Sequence, residues 1–144
     1  MIPNQLIADR VFLALVVWRE ARGESPEARA AVACSILARV AKPRWWGHDV
    51  ASVIFARLQY SSMTFPHDPQ LTAWPRADDI SWQACLQLAC DAIDGKVTNP
   101  APGADSYYDG SIPPPSWAKT SLLVASIGRI RFFDTDKPPQ APAG

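Results

Sequence analysis

The residues best suited to acid–base chemistry are three glutamates that lie close together near the start of the chain. They are Glu20, Glu24 and Glu27, and the 144 residues contain no other glutamate. Glu24 and Glu27 lie in or beside the predicted N-terminus of a helix, where negative charge is favoured. Glu20 lies instead in the last turn of a predicted buried helix, where the helix dipole and burial both raise the pKa of a carboxyl group. A glutamate that keeps its proton near neutral pH can act as a general acid.

Two arginines flank Glu20, and their positive charges would lower the pKa of its carboxyl group. Arg19 and Arg22 would hold the carboxyl in its charged form, but residues at positions i−1 and i+2 lie on a different face of a helix. We therefore expect the effects that raise the pKa of Glu20 to prevail. The alternative is a solvent-exposed carboxylate paired with one of the arginines, and the sequence leaves that alternative open.

The helix that carries Glu20 is predicted from an unbroken apolar run, Val11–Trp18. Since no glycine or proline interrupts the chain from Leu6 to Arg22, the run belongs to a helix of ordinary length that is buried on all sides. Gly23 is predicted to end this helix in the left-handed conformation. Ser25 is then the predicted N-cap of the next helix. Glu20 is thus placed at a corner between two helices.

Further elements are predicted from apolar periodicity and from turn-forming residues. Helices are predicted at residues 26–41, 50–58, 79–93 and 117–126. Short extended segments are predicted at residues 104–109 and 129–133, where they could pair as a small β-ribbon. Residues 59–77 contain three prolines and are predicted to form a polar and aromatic loop on the surface.

The composition is typical of one soluble globular domain. A chain of 144 residues with 48% hydrophobic and 19% charged residues can bury a substantial core. Lysines and arginines equal aspartates and glutamates at 14 each, so bulk electrostatic binding to nucleic acid or to a membrane is not expected. We expect a monomer without stable membrane association, with a single catalytic domain at 1–134 and a flexible Pro- and Ala-rich tail at 135–144.

Other residues whose side chains could take part in catalysis or metal binding are better explained by structural roles. His67 and Asp68 are adjacent, but the remaining histidine, His48, is distant, so no metal site and no cofactor are expected. The three cysteines lack the spacing of zinc or redox motifs and are expected to be buried thiols. The paired Trp45 and Trp46 either cover a small core or form a platform for a sugar ring.

Glycosidic bond cleavage is the chemistry that a protonated glutamate most readily suggests. In its usual form it needs one protonated carboxyl and a second carboxylate about 5 to 10 Å away as nucleophile or base. Glu20 fits the first role. No second partner is evident among Glu24, Asp68 and Asp109, which lie beyond a helix break or in loops. A lone glutamate suits a mechanism in which a hydroxyl of the sugar attacks, and the same glutamate acts first as acid and then as base.

Several motifs, in a fixed order along residues 8 to 133, are shared with a known family. The first spans residues 18–40 and contains Glu-Ala-Arg-Gly-Glu, an Ala-Val-Ala run and a terminal Leu-x-Arg-Val. The others are Val53-Ile54, Gln59-Tyr60-Ser61, Gly103-Ala104 with Tyr107, Pro114-Pro115-Ser116-Trp117-Ala118, and Ile127-Gly128 with Phe132-Phe133. With these motifs the chain resembles the SleB/CwlJ-type cell wall hydrolases, which are spore cortex-lytic enzymes with phage-encoded relatives.

The resemblance implies a mainly α (α+β) fold, namely a lysozyme-like helical domain around a central buried helix, with a small β-ribbon. It also implies cleavage of the β-1,4 bond between N-acetylmuramic acid and N-acetylglucosamine in peptidoglycan, by lytic transglycosylation with Glu20 as the general acid/base. The partner would be the glycan strands of peptidoglycan. The residues that would bind these strands are Arg22, Gln59, Tyr60, Ser61, Ser106, Tyr107 and Trp117.

Two features differ from the usual pattern of the family. Where the family commonly has His-Tyr after Gly-Ala-Thr, this chain has Asp105-Ser106-Tyr107, so any role of that histidine is lost or taken over. The N-terminus lacks the basic segment of a secretory signal peptide. A wall hydrolase without an export signal resembles a phage endolysin, which is made in the host cytoplasm and reaches the wall after release through a membrane lesion. Two alternatives to a lytic transglycosylase stay open. They are hydrolysis by a muramidase, and a non-catalytic peptidoglycan-binding or phage structural module.

Overall fold

The structure of the protein, a computed structural model, describes the backbone of residues 4–56 and 59–136. Within these residues the helices are α1 (Asn4–Ala21), α2 (Pro26–Ala41), α3 (Val50–Ile54), α4 (Ser61–Thr64) and α5 (Ile80–Ile93). The strands are β1 (Ser106–Asp109), β2 (Leu123–Ile127) and β3 (Ile130–Phe133), and short 3-10 helices cover Pro69–Thr72 and Thr120–Leu122. The fold is therefore mainly helical with a small antiparallel sheet, which confirms the predicted class.

Helix α1 forms the centre of the fold. Every side chain from Leu13 to Trp18 is buried, because α2, α3 and α5 all pack against this helix. The predicted central buried helix is confirmed. Since removing apolar surface from water is the main driving force of folding, this burial fixes the position of α1, and with it the position of Glu20 in the last turn.

The corner after α1 differs from the prediction in one respect. Helix α1 ends at Ala21, one residue before the predicted end at Arg22, and Ser25 caps α2 as predicted by accepting a hydrogen bond from the Ala28 amide (3.1 Å). Gly23, however, lacks the predicted left-handed conformation, since its φ is not positive. The amides of Arg22 and Glu24 donate to carbonyl oxygens of α1, at 3.2 and 3.0 Å respectively. These bonds close the last turn without a left-handed residue.

The three strands form one sheet in the order β1-β3-β2. Strands β1 and β3 are antiparallel, with Ser106 opposite Phe133 and Asp109 opposite Ile130. The predicted pairing of two short extended segments is confirmed, and strand β2 enlarges the ribbon to three strands. Strand β1 also contacts α2, so the sheet holds Ser106 and its neighbours close to the helical part of the fold.

The helix predicted at residues 117–126 is wrong. This segment forms a 3-10 turn and then strand β2, which pairs antiparallel with β3. The strands are joined at Gly128, whose φ of +56° is a conformation that glycine adopts without strain. Pairing with β3 and burial of Ile127 therefore select the extended form in this segment.

The surface loop predicted at residues 59–77 is wrong in part, because it contains α4 and a 3-10 helix. Tyr60, Ser62 and Met63 are buried there. Arg19 of α1 holds the segment in place by donating to the Ser62 carbonyl oxygen (3.1 Å) and to Met63 Sδ (3.4 Å). The preceding helix, predicted at 50–58, ends at Ile54; residues 57 and 58 lie outside the described residues.

The predicted tail at 135–144 lies mostly outside the described residues and stays a prediction. Its first two residues are described, and both contact the domain. Thr135 Oγ1 donates to Asp105 Oδ1 (2.8 Å), and Asp136 forms an ion pair with Arg44 (3.3 Å). In the part of the chain that the structure describes, no helix has the length and apolar character needed to cross a membrane. All three cysteines are free thiols, one buried and two half-buried.

Candidate active site

A cleft of about 850 Å³ opens at the end of α1. Its lining comes from the last turn of α1, from α2, from the turn at residues 44–46, from residues 59–65 and from strand β1 with the loop that follows it. Because these segments are far apart in sequence, the cleft exists only in the folded chain. A volume of this size lies in the range of clefts that bind small ligands or a few units of a polymer.

Glu20 lies in this cleft, and its side chain is half-buried. Burial raises the pKa of Glu20 from 4.5 to about 7, and the negative charge of Asp68 adds to this effect. The hydroxyl groups of Ser62 and Tyr107 oppose the shift but do not cancel it. A large fraction of Glu20 therefore keeps its proton at neutral pH, as a general acid must.

Neither arginine beside Glu20 pairs with it. Arg19 donates to the carbonyl oxygens of Ala73 and Ser62, both at 3.1 Å, and its guanidinium lies 4.6 Å from the centre of the Trp74 ring. Arg22 lies 4.1 Å from the centre of the Trp18 ring and donates to Gln70 Oε1 at 2.6 Å. Among the described residues, no ion pair involves Glu20. The predicted separation of the two arginines from the carboxyl is thus observed.

Two buried hydroxyl groups lie next to the Glu20 carboxyl. They belong to Ser62 and Tyr107, and each is close enough to lower the pKa of Glu20. Within the described part of the chain, neither hydroxyl makes a hydrogen bond of standard geometry. Burial, followed by the negative charge of Glu20, raises the pKa of Tyr107 well above its usual value, so its hydroxyl stays protonated. Both groups are therefore available to donate a hydrogen bond to Glu20 or to a bound ligand.

A network around Arg39 of α2 shapes a further part of the cleft. The buried guanidinium donates to the Asp105 carbonyl oxygen (2.6 Å), to Gln59 Oε1 (3.2 Å) and to Ser106 Oγ (3.2 Å). Asp105 in turn accepts hydrogen bonds from Ser106 Oγ and Thr135 Oγ1, both at 2.8 Å. These bonds fix the side chains of Gln59 and Ser106, which line the cleft.

Arg39 and Asp105 are absent from the predicted site. The sequence does contain a signal for Arg39. This charged residue lies at helical spacing from the buried Val32, Ser35 and Ile36 of the same helix, and a charge on a buried face needs partners. Asp105 lacks such a signal, since its partners are distant in sequence.

The structure brings most of the predicted site residues together. The cleft is lined by Glu20, Gln59, Tyr60, Ser61, Ser106, Tyr107 and Trp117. Arg22, which was predicted to bind the glycan, is not among the lining residues, because its guanidinium is held by Trp18 and Gln70. The place of the family's histidine is taken by Ser106, which is part of the Arg39 network rather than unpartnered.

The other carboxylates near the site are already engaged. Glu24 lines the cleft but forms an ion pair with Arg129 at 2.9 Å. Asp109 also lines the cleft, and hydrogen bonds from Ser111 hold its pKa below the usual value. Asp68 accepts from Ser61 Oγ (2.6 Å) and caps the 3-10 helix that follows it. In the described residues, no cluster of three metal-ligating side chains is present.

Aromatic rings cover much of the cleft. Near Glu20 the rings of Tyr60 and Tyr107 lie 6.3 Å apart. Beyond strand β1, the rings of Tyr108 and Trp117 lie 6.2 Å apart in an edge-to-face arrangement. At the turn of residues 44–46, Trp45 is exposed in the cleft. Flat apolar rings beside a few polar groups are typical of carbohydrate-binding clefts, because pyranose rings present apolar faces.

A family model described as cell wall hydrolase matches residues 23–133. Glu20 lies three residues before the start of this range, so the match covers most of the cleft but not the central carboxylate. No curated protein sequence matches the chain.

Two solved structures are similar to this one. The catalytic domain of the SleB protein from Bacillus cereus is 26% identical with a TM-score of 0.68, and the match covers 87% of this chain and 88% of that domain. The catalytic domain of the germination-specific lytic transglycosylase SleB from Bacillus anthracis is also 26% identical with a TM-score of 0.68. This second match covers 92% of the chain and 99% of the domain.

Proposed function

This chain belongs to the cell wall hydrolase family, and we propose that it cleaves the β-1,4 bond between N-acetylmuramic acid and N-acetylglucosamine with Glu20 as the general acid/base. Family membership and the two similar SleB catalytic domains identify it as a peptidoglycan-degrading enzyme. One observation carries the finer proposal. Glu20 is a half-buried carboxyl in a cleft, it has no arginine partner among the described residues, and its pKa is raised to about 7.

We propose lytic transglycosylation as the course of the reaction. Glu20 donates its proton to the glycosidic oxygen as the bond from that oxygen to C1 of N-acetylmuramic acid breaks. A hydroxyl of the same sugar then forms a bond to C1 and gives its proton to Glu20. The glutamate regains its starting form, and the product is an anhydro sugar. No water and no second carboxylate are needed.

The engagement of the other carboxylates supports this course over hydrolysis. A retaining or inverting hydrolase needs a second carboxylate that is free to act as nucleophile or base. Glu24 is paired with Arg129, and Asp68 accepts hydrogen bonds from Ser61 and from the Gln70 amide. The name of the similar Bacillus anthracis protein, a lytic transglycosylase, supports the same course.

Mass spectrometry of digested peptidoglycan tests the proposal. We expect fragments that end in anhydro-N-acetylmuramic acid. Fragments that end in reducing N-acetylmuramic acid would indicate hydrolysis and contradict transglycosylation. Protein that sediments with purified peptidoglycan and yet releases no soluble fragment would indicate a non-catalytic binding module and contradict the whole proposal.

A further inference from the structure

The exposed ring of Trp45 is a feature of the cleft that the proposed chemistry does not use. This tryptophan is 66% exposed, whereas its neighbour Trp46 is 2% exposed. The alternative in which the pair covers a small core therefore applies to Trp46. The alternative of a platform for a sugar ring is left for Trp45, which does not belong to the core. Trp45 also lines the cleft, so a ligand bound there can reach this exposed side chain.

The backbone holds Trp45 in place. The turn is closed by a β-bridge between Arg44 and Gly47. Gly47 has a φ of +118°, and a side chain there would meet Ser52 Oγ at 2.6 Å, so the turn depends on glycine. Ser52 Oγ also accepts a hydrogen bond from the His48 amide (3.0 Å), which ties the end of the turn to α3. The backbone of the turn that carries Trp45 therefore has little freedom to move.

Trp46 fastens the turn to the end of α2. Its indole nitrogen donates to the carbonyl oxygens of Arg39 (3.0 Å) and Lys42 (3.2 Å) at the end of α2. The guanidinium of Arg44 lies 4.6 Å from the centre of the Trp46 ring, and the Trp45 and Trp46 rings lie 5.5 Å apart. Since Trp46 is buried and hydrogen-bonded, the turn that carries Trp45 is held in place before any ligand binds, and such preorganisation lowers the cost of binding.

Trp45 is separated from Glu20 by a chain of contacts along the cleft. Trp46 lies beside Arg39, whose guanidinium is 4.9 Å from the Trp46 ring and 5.2 Å from the Tyr60 ring. Tyr60 then adjoins Tyr107, which reaches the Glu20 carboxyl. Four side chains, those of Trp46, Arg39, Tyr60 and Tyr107, thus intervene between Trp45 and Glu20 in this chain of contacts.

We propose that Trp45 is a platform for a sugar ring distant from the cleaved bond, and that it makes the enzyme favour long glycan strands over short ones. This inference rests on the proposed function, because it assumes that a peptidoglycan strand occupies the cleft. The exposed indole offers a flat apolar surface to the apolar face of a pyranose. Because Trp45 and Glu20 line the same cleft, the platform is continuous with the site around Glu20.

Binding of glycans of different length tests the platform. Peptide-free peptidoglycan strands are separated into disaccharide, tetrasaccharide, hexasaccharide and octasaccharide, and each is titrated calorimetrically into Glu20→Gln protein, which is not expected to cleave them. The same titrations use Glu20→Gln protein that also carries Trp45→Ala, Trp45→Phe or Trp74→Ala. Trp74 is the matched control, since its indole is 69% exposed but does not line the cleft.

We expect affinity to rise with strand length in the Glu20→Gln protein. Adding Trp45→Ala should weaken the binding of the longest strands about tenfold and leave the binding of short strands unchanged. Trp45→Phe should keep most of this affinity, and Trp74→Ala should keep all of it. An unchanged length dependence in Trp45→Ala would overturn the platform while leaving the proposed function intact. Absence of binding by the Glu20→Gln protein at every length would overturn both.

Discussion

The raised pKa of Glu20 should make this enzyme less stable as the pH rises, and replacement of the carboxyl should remove that loss. In the folded protein the pKa of Glu20 is about 7, whereas the ordinary value is 4.5. Below pH 4.5 the group is protonated in both the folded and the unfolded chain, and it contributes no pH dependence. Between pH 4.5 and 7 only the folded chain holds the proton, so the free energy of unfolding falls with rising pH. Above pH 7 the buried carboxylate is charged, and the full loss has been reached.

The size of this effect follows from the shift in pKa. One pKa unit corresponds to about 1.4 kcal/mol, so the shift of Glu20 costs at most about 3 kcal/mol at pH 8. Glu20→Gln replaces the carboxyl with a neutral group of the same shape. The variant should therefore gain stability relative to the wild type from pH 4.5 to 8, by an amount that approaches this limit. Such a gain is a large part of the stability of a small domain.

Urea unfolding of both proteins at pH 4.5, 6 and 8 measures this difference. The expected result is a difference in the free energy of unfolding that grows steadily with pH. Glu27→Gln is a suitable control because Glu27 is exposed in the first turn of α2 and does not line the cleft. A Glu20→Gln difference that stays constant across the three pH values would refute a raised pKa and, with it, the assignment of Glu20 as a general acid.

Three further substitutions have defined effects. Asp68→Asn removes the second cause of the raised pKa of Glu20; the alkaline limb of the pH–activity profile should move to lower pH, and an unmoved limb would exclude the coupling. Tyr107→Phe removes a hydroxyl that lowers the pKa of Glu20, so the same limb should move to higher pH. Arg39→Met leaves the partners of the guanidinium unsatisfied and should cost about 3 kcal/mol in urea unfolding; a cost near zero would show that the network contributes no stability.

The position of Glu20 was predictable because its signals are local. An unbroken apolar run places α1 in the core, and the end of that run places the carboxyl in the last turn at the edge of the core. The helical spacing of the apolar residues likewise defined α2 and α5. In each of these segments tertiary packing and local preference favour the same structure.

The remaining features depend on contacts between distant parts of the chain. Strand β2 lies in a segment that was predicted to be a helix, and the strand that selects its extended form, β3, lies outside that segment. The bond from Arg39 to Asp105 joins residues that are 66 positions apart, so no local pattern contains it. Trp45 and Trp46 are equivalent in sequence terms, and only the fold decides which ring is buried. The origin of the chain as a phage endolysin stays a prediction that rests on the family resemblance.

The loss of turbidity of purified peptidoglycan, measured with wild-type and Glu20→Gln protein at equal concentration, tests the role of Glu20 most directly. The Glu20→Gln protein should show no lysis above background, while its urea unfolding remains cooperative and Glu27→Gln lyses at the wild-type rate. Lysis by the Glu20→Gln protein at the wild-type rate would contradict the central role of this carboxyl group.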